Sequence, residues 1–307
     1  MKICLIGNNL TNYILAYGLL KKNIKVDLYI KKNEPKFSRT RTIGLSYDNK
    51  NFINNNIFNI DRYVWPIKEI KIFNEKSKDR EVLNFSRSKE ANFFIFRNSN
   101  FLVILKKLLK KNKNFKFKNI QNEKIYSEIE NNLEYCLIVN SEINNNISKK
   151  YFSKIMNKKY NSIAYTSILK HNKISNNIAS QTFTDNGPLA FLPLSNTETS
   201  VVYSIKNKKN HLKNEELVKL VKSYSEKYKR AYFSKFEKFY IKFSLSKKYY
   251  HRNILLFGDA LHKIHPLAGQ GFNMTVRDMK IFFKLINENI DLGLPINTFI
   301  LKKFEKE

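Results

Sequence analysis

Residues 253–278, NILLFGDALHKIHPLAGQGFNMTVRD, hold the most informative pattern in the chain. The apolar run at residues 254–257 predicts a buried strand, and Gly258-Asp259 predicts a turn at its end. After a loop with two histidines and a proline, Gly269-Gln270-Gly271 stands ahead of a helix whose apolar residues recur at helical spacing, namely Phe272, Val276, Met279, Phe282 and Phe283. The segment therefore predicts a strand, a glycine-rich loop and a helix in succession.

This succession predicts a ligand site in front of the helix. Gly269 and Gly271 carry no side chain, so a planar or anionic ligand can come close to main-chain N–H groups there. The helix N-terminus adds partial positive charge at the same place. Asp259, at the end of the strand, suits a hydroxyl of a sugar or a ribityl chain. The pattern favours a ligand that combines a flat or charged part with hydroxyl groups.

The same segment resembles the second flavin-binding motif, GD-x-x-H-x-x-P-x-x-G-Q-G-x-N, of the aromatic flavin hydroxylases shaped like para-hydroxybenzoate hydroxylase. Within it, the sequence HPLAGQGFN is most similar to the ubiquinone-biosynthesis hydroxylase branch. The resemblance continues in chain order at RTIGLS (41–46), PIKEI (66–70), FFIFR (93–97) and GPLAFLPL (187–194). It is strongest at residues 187–194 and 253–278.

The resemblance implies an α/β fold, in which a Rossmann-like FAD-binding domain is interwoven with a mostly antiparallel substrate-side sheet. We expect a discontinuous FAD-binding domain. The predicted domains are residues 1–75, 91–159 and 250–307 for FAD binding, and residues 76–90 and 160–249 for the substrate-side sheet.

The implied activity is that of an FAD-dependent NAD(P)H monooxygenase, which hydroxylates the aromatic ring of a polyprenyl phenol with dioxygen in ubiquinone biosynthesis. Pro266 and Asn273 would shape the face and edge of the flavin, and Arg97 would reach toward the adenosine diphosphate. No acid–base residue stands out, and we assign no catalytic residue. The expected cofactor-binding residues are Gly7, Arg41, Arg97, Gly258, Asp259, Pro266, Gly269, Gln270, Gly271 and Asn273.

The N-terminal opening departs from the dinucleotide-binding pattern. Residues 2–6, a helix and residues 24–30 predict a βαβ start, which normally carries three glycines and an acidic residue after the second strand. Here Gly7 is followed by Asn9 and Asn12 at the other two glycine positions, and Ile30-Lys31 stands in place of the acid. We expect the Asn9 side chain to crowd a diphosphate and Asn12 to push the helix outward.

Further departures leave a second hypothesis open. In the stretch that matches the family's ADG-x-x-S-x-x-R, Glu142 replaces the Asp, Ile143 the turn glycine and Lys149 the arginine, and Thr275 replaces a later glycine. The chain also stops soon after the point where family members continue into further helices. The alternative is a non-catalytic or FAD-deficient homologue that acts as an accessory subunit of the ubiquinone-biosynthesis machinery. Such a protein would stay colourless in excess FAD.

The charge of the chain is the remaining strong signal. The 56 Lys and Arg against 26 Asp and Glu give a net charge of +30, which raises the question of a nucleic-acid partner. The lysines are spread along the whole chain and accompany abundant Asn and Ile, so compositional drift is favoured over a polyanion site. We therefore expect no nucleic-acid partner. A basic exterior does favour peripheral contact with an anionic membrane and with other ubiquinone-biosynthesis proteins.

Several local patterns bear on location and on other chemistry. The N-terminus enters a strand without a signal-peptide pattern and no long apolar run occurs, so the cytoplasm is expected, with a peripheral place at the inner membrane left open. Cys4 and Cys136 are expected as buried thiols rather than a disulfide. His262 and His265 have a metal-like spacing, but they lack companion ligands, so no metal is expected. Residues 214–240 predict an amphipathic helix.

Overall fold

The computed structural model describes residues 1–31, 38–77, 81–86, 91–206, 212–264 and 270–307, without the side chains of Lys159 and Gln270. Its helices are α1 (Leu10–Leu20), α2 (Tyr47–Asn56), α3 (Asn98–Leu109), α4 (Lys124–Asn131), α5 (Asn146–Tyr151), α6 (Asn214–Lys222), α7 (Gln270–Asp291) and α8 (Thr298–Lys306). Its strands are β1 (Lys2–Ile6), β2 (Lys25–Lys31), β3 (Thr42–Ser46), β4 (Trp65–Ile67), β5 (Glu69–Asn74), β6 (Glu81–Ser86), β7 (Phe93–Arg97), β8 (Phe115–Ile120), β9 (Leu137–Asn140), β10 (Ile155–Lys170), β11 (Ile178–Thr184), β12 (Gly187–Pro193), β13 (Glu198–Lys206), β14 (Tyr232–Phe233), β15 (Glu237–Ser246), β16 (Tyr250–His251), β17 (Ile254–Leu256) and β18 (His262–Lys263).

A six-stranded sheet with the order β16-β17-β9-β1-β2-β8 forms the Rossmann-like part. Its neighbouring strands run parallel, except for the β16–β17 pair. Strands of a parallel sheet are covered on both faces, which is why β1, β9 and β17 consist almost entirely of buried apolar residues. β9 and β17 come from distant parts of the sequence and pair in this one sheet.

The second sheet has the order β18-β15-β10-β13-β12-β11-β5-β6, with β14 paired to β10. Its pairs are antiparallel, except that β5 runs parallel to β11. One face packs against α6, where Leu189, Phe191 and Tyr203 from the sheet meet Leu217 and Val221 from the helix. The opposite face is only partly covered, so successive residues along a strand such as β12 point alternately to a buried and to an accessible side.

A three-stranded sheet, β3-β7-β4, lies between these two larger sheets. Ile67 and Ile95 of this small sheet pack against Ala179 of the nine-stranded sheet. Gly44 of β3 lies under the Phe93 ring, and a Cβ at Gly44 would sit 2.2 Å from that ring. The small sheet therefore connects the Rossmann-like part to the substrate-side sheet through close apolar packing.

The α/β fold class predicted from the sequence is confirmed, and the structure adds two corrections. The predicted helix over residues 214–240 is wrong, because α6 ends at Lys222 and residues 237–246 form β15. Phe239, Ile241, Phe243 and Leu245 alternate with mostly polar residues, which is the two-residue period of a strand. In addition, β5 and the first residues of β10 pair within the nine-stranded sheet, so that sheet begins before the predicted boundaries at residues 76 and 160. The division into domains stays a prediction.

Candidate functional site

Three strand ends meet at the carboxyl edge of the parallel sheet. Asn140 of β9 lies beside Ile6 of β1 on one side and Leu256 of β17 on the other. Main-chain bonds continue the pairing past the strands, since Ser141 N donates to Ile6 O at 3.0 Å and Phe257 N donates to Asn140 O at 3.0 Å. The turns after β1, β9 and β17 are consequently neighbours. In open α/β sheets, ligands bind in the crevice beside this edge.

The turn after β17 leaves its acidic residue available. Gly258 has φ +58°, and a Cβ there would lie 3.1 Å from the Thr11 side chain, so this turn packs directly on the start of α1. The next residue, Asp259, is exposed and makes no hydrogen bond or ion pair with the described part of the chain. Its carboxylate can therefore accept hydrogen bonds from a bound hydroxyl. The predicted positions Gly258 and Asp259 thus lie together at the sheet edge.

A buried pair fixes the chain just after that turn. His262 Nε2 donates to Asp278 Oδ2 of α7 at 2.5 Å, and the imidazole is 5% exposed. Burial lowers the pKa of His262, but the hydrogen bond to Asp278 and its negative charge raise it, and the pKa lies above the usual 6.5. Nδ1 of the same ring is buried without a partner among the described residues. The pair holds β18 against α7.

The start of α7 is held in place by Asn273. Its Oδ1 accepts from Ser46 N at 2.9 Å and from Asn49 Nδ2 at 2.8 Å, while its Nδ2 donates to Gly44 O at 2.9 Å. These bonds tie the first turn of α7 to β3 and α2. Asn273, predicted to face the cofactor, therefore has a structural role as well. Its amide fixes the position and direction of the helix N-terminus.

The other predicted residues of this motif divide into two groups. A Cβ at Gly271 would have the Ile264 side chain at 3.6 Å as its near neighbour, an ordinary contact, so no described protein atom demands glycine there. Gln270 opens α7, and its side chain lies outside the described residues. Pro266 and Gly269, together with His265, also lie outside them. The lack of a side chain at Gly271 is consistent with space kept for a ligand.

The turn after β1 is closed by side chains. Gly7 has φ +122°, and a Cβ there would lie 2.7 Å from Ser141 Oγ. Asn9 caps α1 by accepting from Asn12 N at 3.1 Å, and its Nδ2 donates to Ser141 Oγ at 2.7 Å. Asn12 is fully buried and donates to Gly7 O at 2.9 Å. The amide of Asn12 is accommodated beneath the turn in this way, and the neighbouring Thr11 still reaches Gly258.

Glu142, which stands where the family has an Asp, lies near the end of β2. Glu142 Oε2 is 3.9 Å from Lys31 Nζ and accepts from Tyr126 OH at 3.4 Å. The one acid within β2, Asp27, is in the middle of the strand and is held by Lys2 and Lys118 at 3.1 and 3.0 Å. Among the described residues, Glu142 is thus a carboxylate that lies near the end of β2, where a ribose-binding acid is expected. In the sequence, the only sign of a role for Glu142 is that it aligns with the family's Asp.

The two predicted arginines lie toward the substrate-side sheet. Arg97 Nη2 donates to Glu198 Oε2 of β13 at 2.6 Å, with both side chains partly exposed. Arg41 is exposed, and its carbonyl accepts from Asn98 N at 3.1 Å. The residues on either side of Arg41 bond to the large sheet, Thr40 to Thr166 and Thr42 to Ser200. The Arg97 guanidinium is thus engaged with the sheet, and its role toward a cofactor stays a prediction.

Two other expectations concern metal and membrane. Among the described residues, no group of three or more His, Cys, Asp and Glu is arranged to hold a metal ion. In the same part of the chain, no helix is both long and apolar enough to cross a bilayer. Cys4 is buried and Cys136 partly so, and both are free thiols, as predicted.

Comparison with known proteins agrees with this geometry. A family model described as an FAD binding domain matches residues 143–290. The "Ubiquinone biosynthesis monooxygenase COQ6, mitochondrial" of Danio rerio is 27% identical over 176 residues, a match that covers 43% of this chain and 36% of that relative. The chain thus matches little more than a third of the relative's length.

Solved structures share the fold. The p-nitrophenol 4-monooxygenase PnpA from Pseudomonas putida DLL-E4 superposes with a TM-score of 0.76 at 10% identity, over 98% of this chain and 82% of that one. PqsL from Pseudomonas aeruginosa, described as a probable FAD-dependent monooxygenase, gives 0.74 at 13% identity, over 100% and 91%. The chain therefore has the fold of these monooxygenases. In sequence, the chain is similar to an FAD binding domain over residues 143–290 and to ubiquinone biosynthesis monooxygenases over shorter stretches.

Proposed function

We propose that the chain binds FAD and hydroxylates the aromatic ring of a polyprenyl phenol in ubiquinone biosynthesis, with NAD(P)H as reductant and dioxygen as co-substrate. One observation carries the proposal: Asp259 is exposed, has no hydrogen-bond or ion-pair partner among the described residues, and lies at the carboxyl edge of the parallel sheet, next to a helix start that Asn273 holds in place. The match to an FAD binding domain and the similarity to a ubiquinone biosynthesis monooxygenase support the same function. FAD supplies the redox and oxygen chemistry when bound.

The protein's own residues would bind and orient the cofactor. Asp259 would accept hydrogen bonds from ribityl hydroxyls. The N-terminus of α7, with Gly271 in its first turn, would place N–H groups and partial positive charge beside the pyrimidine edge of the flavin, where negative charge develops on reduction. The fit is good at this end of the site. At the turn after β1 the Asn9 side chain stands where a diphosphate would approach, so the fit there is poor.

The accessible face of the large sheet supports an apolar, ring-containing substrate. A row of in-register residues crosses five strands on this face, and its end residue Thr166 bonds to Thr40 beside Arg41. The members are partly exposed, apart from buried Thr166, and are mostly apolar: Ile72, Gln181, Ala190, Val202 and Thr166. Residues in register on adjacent strands share one face, so this row forms a continuous surface. It offers a wall for an aromatic ring and an attached hydrocarbon chain.

The test is the visible spectrum of the purified protein, followed by reconstitution with FAD. We expect flavin absorbance and release of FAD on denaturation, and NAD(P)H consumption that rises when a prenylated phenol is added. If the protein is loaded with FAD but forms no oxygenated product from a prenylated phenol, the substrate assignment is wrong. Product analysis with labelled dioxygen separates hydroxylation from uncoupled oxidation of NAD(P)H.

An accessory, FAD-deficient protein is the second candidate, favoured by the closed turn at Asn9. It predicts a chain that stays colourless in excess FAD yet associates with ubiquinone-biosynthesis proteins. The net charge of +30 supports a peripheral place on an anionic membrane for either candidate. Co-sedimentation with anionic but not neutral vesicles would support that location. A nucleic-acid binder would instead show strongly salt-dependent binding to generic DNA.

A further inference from the structure

The Asn9 side chain links two turns of the site. Its Oδ1 accepts from Asn12 N in the first turn of α1, and its Nδ2 donates to Ser141 Oγ after β9. Ser141 Oγ in turn donates to Ile6 O at 3.0 Å. The amide therefore spans the gap between the ends of β1 and β9. We call the Asn9 side chain with its bonds to Asn12 N and Ser141 Oγ the Asn9 clasp.

The clasp uses one of the first-turn N–H groups that a diphosphate would need. The first N–H groups of a helix have no partner within the helix, and an anion at a helix N-terminus binds to them. In this chain the N–H of Asn12 is already satisfied by Asn9 Oδ1. A side chain also stands at the position where glycine lets the main chain approach a diphosphate closely. Both the donor and the space are taken by the protein itself.

The turn after β17 shows the opposite arrangement. Asp259 has no partner among the described residues, and a Cβ at Gly271 would meet only an ordinary contact. Within the described residues, nothing occupies the part of the site that suits a ribityl chain and a flat ring. The part that suits phosphates is closed. Binding strength in this site should therefore come from the isoalloxazine and ribityl part of a flavin.

We propose that the Asn9 clasp excludes the diphosphate, so that this chain gains little affinity from the adenosine diphosphate half of FAD and binds riboflavin about as tightly as FAD. This inference rests on the proposed flavin site. It assigns to Asn9 the control of cofactor discrimination. Removal of the amide frees Asn12 N and opens the gap beside Ser141, so Asn9→Gly should convert the chain into one that prefers FAD.

The experiment is titration of the purified apoprotein with riboflavin and with FAD, followed by flavin fluorescence or calorimetry. For the unchanged chain we expect the two dissociation constants to agree within a few-fold. In Asn9→Gly the FAD constant should fall about tenfold, as expected for a regained hydrogen bond to a charged group, while the riboflavin constant stays the same. Asn9→Asp keeps the cap but adds negative charge, and it should weaken FAD alone.

Asn8→Gly is the matched control. It makes the same change one position earlier, at a side chain that accepts from Tyr13 OH and does not touch Ser141. Ser141→Ala removes only one arm of the clasp and should give a smaller gain for FAD. If thermal unfolding shows that Asn9→Gly is unstable, Ser141→Ala is a second way to weaken the clasp, because it removes the bond from Asn9 Nδ2.

The outcomes separate the two proposals. If riboflavin binds and Asn9→Gly leaves the ratio of the two constants unchanged, or weakens FAD, the clasp proposal is wrong while the flavin site stands. If the unchanged chain already binds FAD far more tightly than riboflavin, the clasp proposal is also wrong. If neither flavin binds to the chain or to any variant, the proposed flavin site itself is refuted, and the clasp with it.

Discussion

The turn after β17 and the turn after β1 are neighbours at one edge of the parallel sheet, but their polar groups are used differently. At residues 258–273, Asp259 is left without a described partner, and the bonds of Asn273 anchor the helix behind the site. At residues 7–12, the side chain of Asn9 accepts from Asn12 N and the side chain of Asn12 donates to Gly7 O. A turn whose polar groups are already paired has little left to offer a ligand. We therefore expect the affinity for a flavin to come mainly from the β17 side.

Asp259→Ala should have the largest effect on this comparison. Because the carboxylate has no described partner within the protein, its loss should leave folding unchanged and remove flavin retention. We expect at least about a tenfold loss of FAD affinity, the effect of one hydrogen-bonding charged group. The measurement is flavin content after purification. Asp291→Ala, an exposed change at the other end of α7, about 30 Å away by helix rise, is the control. Equal flavin content in both variants would place the ligand elsewhere.

Asn273→Ala tests whether the β17 side depends on its anchor. The change removes the side-chain bonds to Ser46 N, Asn49 Nδ2 and Gly44 O, although Asn49 Nδ2 keeps its bond to the main-chain oxygen of residue 273. The free energy of unfolding should fall by about 2–3 kcal/mol. Urea denaturation measures it, with Asn49→Ala, which removes one of the partners, as a smaller step. A loss below that of Asn49→Ala would mean that Asn273 does not position α7.

Gly258 and Gly271 form a matched pair within the motif. Gly258→Ala places a Cβ at φ +58° and 3.1 Å from Thr11, so we expect a loss of about 1–2 kcal/mol in unfolding free energy. Gly271→Ala lies in a helix with only an ordinary contact nearby, and it should keep or raise stability by up to about 1 kcal/mol. The same Gly271→Ala change should weaken flavin binding. Unaltered flavin affinity there would show that the ligand does not approach the start of α7.

The His262–Asp278 pair should give the smallest effect, and its sign depends on pH. Because the pKa of folded His262 is raised above 6.5, through Asp278 and against the opposing effect of burial, the pair's contribution is fully present below pH 6.5. It is lost as the pH rises through the folded value. The stability difference between the unchanged chain and Asp278→Asn should therefore be largest in mild acid, about 1 kcal/mol, and should shrink at alkaline pH. Denaturation at several pH values measures it, and a difference that grows with pH would contradict the assignment.

Local patterns predicted much of this molecule. The structure contains the predicted βαβ start and the apolar strands β1, β9 and β17. It also has a strand before and a helix after the loop within residues 253–278. Each depends on periodicity or on a few adjacent residues, which a single sequence displays. The error at residues 214–240 arose where short apolar spacings suit both a helix and a strand. Only the pairing of β15 with β10 decides for the strand there.

The sequence by itself determined the fold class, the buried strands and the positions of the glycines and of Asp259. The tertiary structure decided which of those polar groups remain available. Asn9 meets Ser141 across 132 residues and Asn273 meets Gly44 across 229, and Arg97 finds Glu198 in another sheet. Hydrogen bonds form between groups that are close in space, whereas the patterns in a sequence report only neighbours along the chain.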